Sequence, residues 1–132
     1  MTYPLPAGAR AWQAKTRAFM DADLIPWEVH AEMHNGEIPA DAHARHVAKA
    51  RELGISNMAV PKEMGGGGLS MIEQVVVQEQ MGRVTNALSW CTGNVQPWML
   101  KACSPHQIET WVKPNIAGKR HECYAITEPG AG

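Results

Sequence analysis

Four consecutive glycines, Gly65 to Gly68, lie four residues beyond Pro61, near the middle of a 132-residue chain. No helix or strand runs through such a stretch. Proline withdraws a backbone donor and fixes φ, and each glycine loses more freedom on ordering than any other residue. The chain must therefore fold as regular segments on either side of a bent middle. The bend ends at Ser70-Met-Ile-Glu73, a Ser-x-x-Glu capping box. There the serine oxygen accepts from the Glu73 backbone donor and the glutamate bonds back to Ser70. A helix follows through Met71, Ile72, Val75, Val76 and Val77 to Met81. Its β-branched valines favour helix weakly, so it rests on the cap and on burial.

The flanking segments also read as helices. The first spans about Ala9 to Met33, with Trp12, Phe19, Met20 and Trp27 at helical spacing and Pro26 as a kink. Asn35-Gly36 and Pro39 form its exit. A second helix fits Asp41 to Leu53, with Val47, Ala50 and Leu53 on one side and Gly54 as its left-handed end. From Asn86 to about Cys103 the broadly apolar pattern predicts a buried helix with a local defect at Gly93 and Pro97. Ser104-Pro-His-Gln107 starts another helix, with serine at the cap, proline in the first turn and glutamine three residues after the serine. It carries Ile108, Trp111 and Val112 and finishes over Pro114 to Gly118. After Gly118 the alternation from His121 to Thr127 favours a strand, followed by a turn at Glu128-Pro-Gly. The expected fold is all-α, an orthogonal or up-down domain of about five helices over 1–118. Residues 119–132 hold one expected strand with nothing obvious to pair with.

Lys and Arg number 12 against 13 Asp and Glu, a net charge of −1, which lacks the electrostatic footprint of a nucleic-acid binder. No apolar run of about 18 residues offers a membrane span. The start, Met1-Thr-Tyr-Pro-Leu-Pro6, has neither the basic nor the apolar region of a secretory signal. Cys91, Cys103 and Cys123 are odd in number and widely spaced, so they build no disulfide framework. A cytoplasmic compartment is the simplest expectation.

Several constellations invite chemistry. His30 and His34 share a helical face, yet the intervening Glu32 is displaced from the H-E-x-x-H pattern and no third ligand follows, so no metal site is expected. A solvated polar face suits this pair, and His43 and His46 are read the same way. The four glycines lack the Gly-Lys-Ser/Thr of a phosphate loop, and a close backbone bend accounts for them. Trp90, Trp98 and Trp111 are read as core anchors, with the alternative that Trp98, Asn94 and Val95 face a ligand cavity. Glu128 is an ordinary turn carboxylate.

The segment Tyr124-Ala-Ile-Thr-Glu-Pro-Gly-Ala-Gly132 is the most distinctive. It resembles the signature of the flavin-dependent acyl-CoA dehydrogenases, which there continues into Ser-Asp. Arg51-Glu-Leu-Gly-Ile55 resembles the family's L-R-E-L-G-L, and Val60-Pro-Lys-Glu-Met-Gly-Gly66 its V-P-E-E-Y-G-G. Gln78-Glu-Gln-Met-Gly-Arg83 is similar to E-E-L-G-R, and Gln107 to Pro114 to the Q…W-L-P helix before the motif strand. The likeness covers the chain from about Phe19 onward. Met64 in place of an aromatic residue, four glycines instead of two, and Pro97-Trp98 depart from the pattern.

The resemblance implies the N-terminal portion of an FAD enzyme that oxidises an acyl-CoA thioester to its α,β-enoyl form, in fatty acid metabolism. It makes residues 119–132 the first strand of an otherwise absent β-domain. It assigns Tyr124, Ile126, Thr127 and Gly132 to the flavin, and Cys91, Asn94, Val95 and Trp98 to the acyl pocket. The carboxylate base of such enzymes comes from a later helical bundle, so no catalytic residue is assigned and the 132-residue chain alone is expected to be inactive and not to retain FAD. A homo-oligomer, dimer or tetramer, and an electron-accepting flavoprotein partner are implied for the parent enzyme. Two alternatives stay open: a stand-alone helical interaction module of the same descent, and a flavin monooxygenase of the same fold.

Overall fold

The computed structural model describes residues 4–120, 123 and 128–130. Among them every regular element is helical. The helices are α1 (Ala7–Phe19), α2 (Glu28–Met33), α3 (Ala40–Leu53), α4 (Met71–Met81), α5 (Met99–Ala102), α6 (Pro105–Gln107) and α7 (Lys113–Ile116). α1 and α2 belong to one helical run over 7–33, and α6 and α7 to another over 105–116, so the described residues form five helical runs. The all-α expectation holds, and the strand expected over His121 to Thr127 lies, for all but Cys123, outside the described residues.

Both long runs change winding at the same distance from a proline. Met20–Leu24 and Ile108–Val112 are widened turns, in which Ile25 N–H donates to the Met20 oxygen and Lys113 N–H to the Ile108 oxygen. Each of those donors immediately precedes a proline, Pro26 or Pro114. The proline ring would strike the carbonyl four residues back, and widening the preceding turn relieves that crowding without breaking the helix. After the first widened turn a tight turn, Ile25–Trp27, returns the chain to α2. The sequence-based kink at Pro26 is thus a change of winding spread over eight residues, 20–27.

α1 and α4 pack side by side in the same direction. Gln13 Nε2 donates to Glu79 Oε2 (3.0 Å), Arg17 Nε donates to Gln80 Oε1 (2.9 Å), and Arg83 pairs with Asp21 (2.8 Å). The main core gathers Phe19, Met20, Leu24, Ala50, Ile55, Val77 and Leu88, with Trp12 and Trp27 half-buried against it. A second, smaller core joins Val60, Val95, Val112 and Ile116. On α4 only Val76, Val77 and Gln80 are buried; Met71, Ile72 and Val75 are exposed. The burial expected to support this helix therefore reaches one face, and the cap carries more of the task. Glu73 Oε2 accepts from both Ser70 N–H (2.8 Å) and Ser70 Oγ (2.7 Å).

The helix expected from Asn86 to about Cys103 does not form. Asn86 and Ala87 are both left-handed (φ 54° and 55°), a tight turn spans Leu88–Cys91, and Thr92 is extended. Helical structure resumes only at α5, beyond Pro97. Apolar content here reflects contact with both cores, Leu88 and Cys91 with the main one and Val95, Met99 and Leu100 with the second, rather than a helical face. Trp90, read as a core anchor, is 82% exposed.

Candidate functional site

The glycine-rich bend determines where the site lies. Gly66 N–H donates to the Pro61 oxygen, Gly67 N–H to Asn57, Gly68 N–H to Val60 and Leu69 N–H to Met58. With these donors turned inward, the loop presents no cradle for a phosphate, and a close backbone bend is what the glycines serve. A methyl group on Gly66 would fall on the Val60 carbonyl, and one on Gly67 on the Gly54 carbonyl. The folded loop brings Val60 and Gly65 up to α7, where Ile116 packs.

Against this loop lies the non-helical stretch 93–95. Asn57 N–H donates to the Gly93 oxygen (2.8 Å), Gly93 N–H donates to Ser56 Oγ (2.9 Å), and Val95 N–H donates to Asn57 Oδ1 (2.7 Å). Facing it across the second core are α5 and the widened turn Ile108–Val112. The space between is a hollow of about 430 Å³ lined by Asn94, Val95, Met99, Trp111, Val112, Asn115 and Arg120. Its walls are mainly apolar. The Arg120 guanidinium lies over the Trp111 ring, 4.3 Å from its centroid. A hollow that joins an apolar floor to a few polar groups can shelter a hydrophobic ligand segment and orient its polar end.

Of the residues assigned to the acyl pocket, Asn94 and Val95 line this hollow and Cys91 and Trp98 do not. Cys91 is 4% exposed within the main core, and burial pushes its thiol up to about 12, so it holds no thiolate near neutral pH. Trp98 is 59% exposed and outside the lining. Trp111, read as a core anchor, is 54% exposed and forms a wall instead. Reasoning from sequence missed Val112, Asn115 and Arg120. The Ser104 cap was the usable signal, because it sets the helical phase that places Trp111, Val112 and Asn115 on one side. The flavin assignments Tyr124, Ile126, Thr127 and Gly132 lie outside the described residues. The described residues supply the hollow and none of the residues assigned to the flavin.

The histidines divide. His30 and His34 stack at 4.0 Å between centroids, and His34 Nδ1 donates to the His30 carbonyl (2.7 Å). Among the described residues no three His, Cys, Asp or Glu side chains gather as a metal site. His46 overturns the solvated reading: it is 5% exposed, lies edge-on to Trp27, and its Nδ1 has no hydrogen-bond partner. No described helix is long and apolar enough to cross a membrane.

Comparison with known proteins matches residues 7–119 to the family described as "Acyl-CoA dehydrogenase, N-terminal domain". The chain is 28% identical over 120 residues to the caffeyl-CoA reductase-Etf complex subunit CarC of Acetobacterium woodii, covering 88% of this chain and 31% of that protein. It is 27% identical over 133 residues to the mitochondrial short-chain specific acyl-CoA dehydrogenase of Sus scrofa, covering 97% of this chain and 31% of the relative. With the 3-(aryl)acrylate reductase of Clostridium sporogenes it shares 31% identity over 90 residues, 65% of this chain and 24% of that one. The chain thus spans about a third of the length of these two curated relatives. No solved structure matches at the same stringency. An all-helical architecture, the ordered segments from Arg51 to Pro114 and a family match over residues 7–119 agree, and the chain belongs to the acyl-CoA dehydrogenase family, in its N-terminal domain.

Proposed function

We propose that this chain is the acyl-binding helical part of a flavin-dependent acyl-CoA dehydrogenase that oxidises a thioester to its α,β-enoyl form. The observation that carries this reading is the hollow beside 93–95, because it sits at the segment the family resemblance assigns to the acyl chain. Val95, Met99 and Val112 exclude water from the alkyl portion. Trp111 supplies a flat wall, and Asn94, Asn115 and Arg120 meet the polar end. In this reading residues 1–118 are the helical domain and 119–132 begin a β-domain, where Tyr124, Ile126, Thr127 and Gly132 contact FAD. When bound, flavin would supply the acceptor for the β-hydride; the resemblance gives the carboxylate for the α-proton to a later helical bundle of such enzymes, and no residue of this chain is proposed as that base.

The electron acceptor is an electron-transferring flavoprotein, a reading supported by the relative named as an Etf complex subunit. The whole enzyme is a dimer or tetramer. On its own the 132-residue chain is expected to turn over no acyl-CoA, since none of its residues is assigned as the base, and to retain no flavin, since only Tyr124, Ile126, Thr127 and Gly132 are assigned to it. The test is binding of octanoyl-CoA against free CoA, followed by tryptophan fluorescence. The chain is expected to bind octanoyl-CoA at least tenfold more tightly, and Val95→Trp, which fills the hollow, is expected to erase the difference. Equal affinities in the unaltered chain would overturn the acyl-pocket reading. Sustained dye reduction or a flavin absorption spectrum from the purified chain would overturn the predicted inactivity.

A further inference from the structure

We propose that Asn57 is the positioning residue of the hollow, and that with Ser56 it determines which acyl shapes fit. The non-helical stretch 93–95 lacks the helical hydrogen bonds its sequence pattern predicts, so its amides need partners elsewhere. Ser56 and Asn57 supply them. Asn57 is 2% exposed and left-handed (φ 49°), and all its backbone and acceptor groups are engaged. Its N–H donates to the Gly93 oxygen, its own carbonyl accepts from Val60 N–H (3.0 Å) and Gly67 N–H (3.2 Å), and its Oδ1 accepts from Val95 N–H (2.7 Å). Ser56 Oγ takes Gly93 N–H (2.9 Å). Gly93 is pressed so closely on the carboxamide that a methyl group there would lie 2.7 Å from Asn57 Nδ2.

One residue therefore joins the glycine-rich loop, through its backbone carbonyl, to the wall that carries Asn94 and Val95, through its carboxamide. If that join loosens, Val95 moves relative to Val112 and Trp111, and the depth of the hollow changes. Asn57 is placed to act through Val95 rather than by touching the ligand. This inference rests on the hollow being the acyl pocket.

The test uses the 132-residue chain, with Asn57→Gly as the main variant because glycine keeps the left-handed backbone and removes only the carboxamide. Amide hydrogen exchange is read at Val95, with buried Val77 of α4 as the reference for global stability. The affinity ratio of octanoyl-CoA to butyryl-CoA is read by tryptophan fluorescence. Expected are at least 100-fold faster exchange at Val95 relative to Val77, and at least a fivefold change in the affinity ratio. Ser56→Ala is expected to free Gly93 N–H and shift the ratio less, whereas Ser56→Thr retains Oγ and stays near the unaltered chain. If Asn57→Gly does not fold, the Ser56 pair decides by the same two readings at Gly93. Equal acceleration at Val95 and Val77, or an unchanged ratio, would overturn the role of Asn57. Failure of the unaltered chain to bind either acyl-CoA would instead overturn the acyl-pocket reading and the specificity role with it, while the exchange data still decide the clamp.

Discussion

Gly66 has no room for a β-carbon: the Val60 carbonyl and side chain already occupy the place. Gly66→Ala should therefore cost about 1–3 kcal/mol as an overpacked site, because the obstacle is backbone and cannot swing away. Urea denaturation would read this as a lower midpoint with an unchanged slope. A midpoint equal to that of the unaltered chain would contradict the close approach. Composition alone indicated a bend here, since glycine runs permit close backbone contact, but it could not say which backbone is approached. The tryptophans illustrate the limit from the other side. Trp90, Trp98 and Trp111 are apolar enough to be read as core, yet all three are more than half exposed. Large aromatic residues suit a core and a ligand wall equally, and only the fold around Trp111 separates the two.

Among the elements, those with explicit start signals were the legible ones. Ser70–Glu73 and Ser104–Gln107 both form their boxes, and Gly54 ends α3 in the left-handed conformation (φ 78°). The Ser70 hydroxyl and amide both converge on Glu73, and this bonding holds the Glu73 carboxyl below its ordinary range. Ser70→Ala is expected to cost about 1 kcal/mol of stability, read as a melting temperature lower by a few degrees. No change would mean that packing of Val76 and Val77, rather than the cap, holds the start of α4. The stretch from Asn86 to Cys103 carried no such signal. Two adjacent left-handed residues, Asn86 and Ala87, divert the chain, and their conformation follows from tertiary bonds such as Asn86 Nδ2 to the Glu28 carbonyl (3.3 Å). Neighbours distant in sequence made that segment, so periodicity misread it.

At the scale of the whole molecule, burial of His46 couples folding to pH. Burial pushes its imidazole below the ordinary value of 6.5, assisted by the positive fields of His43 and Arg45 and opposed by Asp23, whose carboxylate also pairs with Lys49 (2.7 Å). The unfolded chain then binds the proton more readily than the folded one. Stability is fully present above about pH 6.5 and is lost as the pH falls from there toward the lowered folded value. Glu73 adds a second loss beginning below about 4.5, its ordinary value, because its folded carboxyl is held lower still. A stability profile between pH 7.5 and 5 should therefore slope downward, and His46→Gln should flatten it over that range. An unaltered slope in the variant would assign the effect elsewhere. Four of the five helical runs were legible from spacing and caps, whereas the irregular stretch that replaces the expected fourth helix and the division into two cores were not. The hollow was only half legible, since it lies between elements whose mutual placement depends on Asn57.

The widened turns before Pro26 and Pro114 have a further, evolutionary consequence. Each holds roughly one residue more than an ordinary helical turn. A lineage can therefore gain or lose one residue there while keeping both halves of the helix and everything docked on them. Relatives without these prolines should align to this chain with single-residue gaps in mid-helix, at 20–24 and 108–112, places where insertions are otherwise not tolerated.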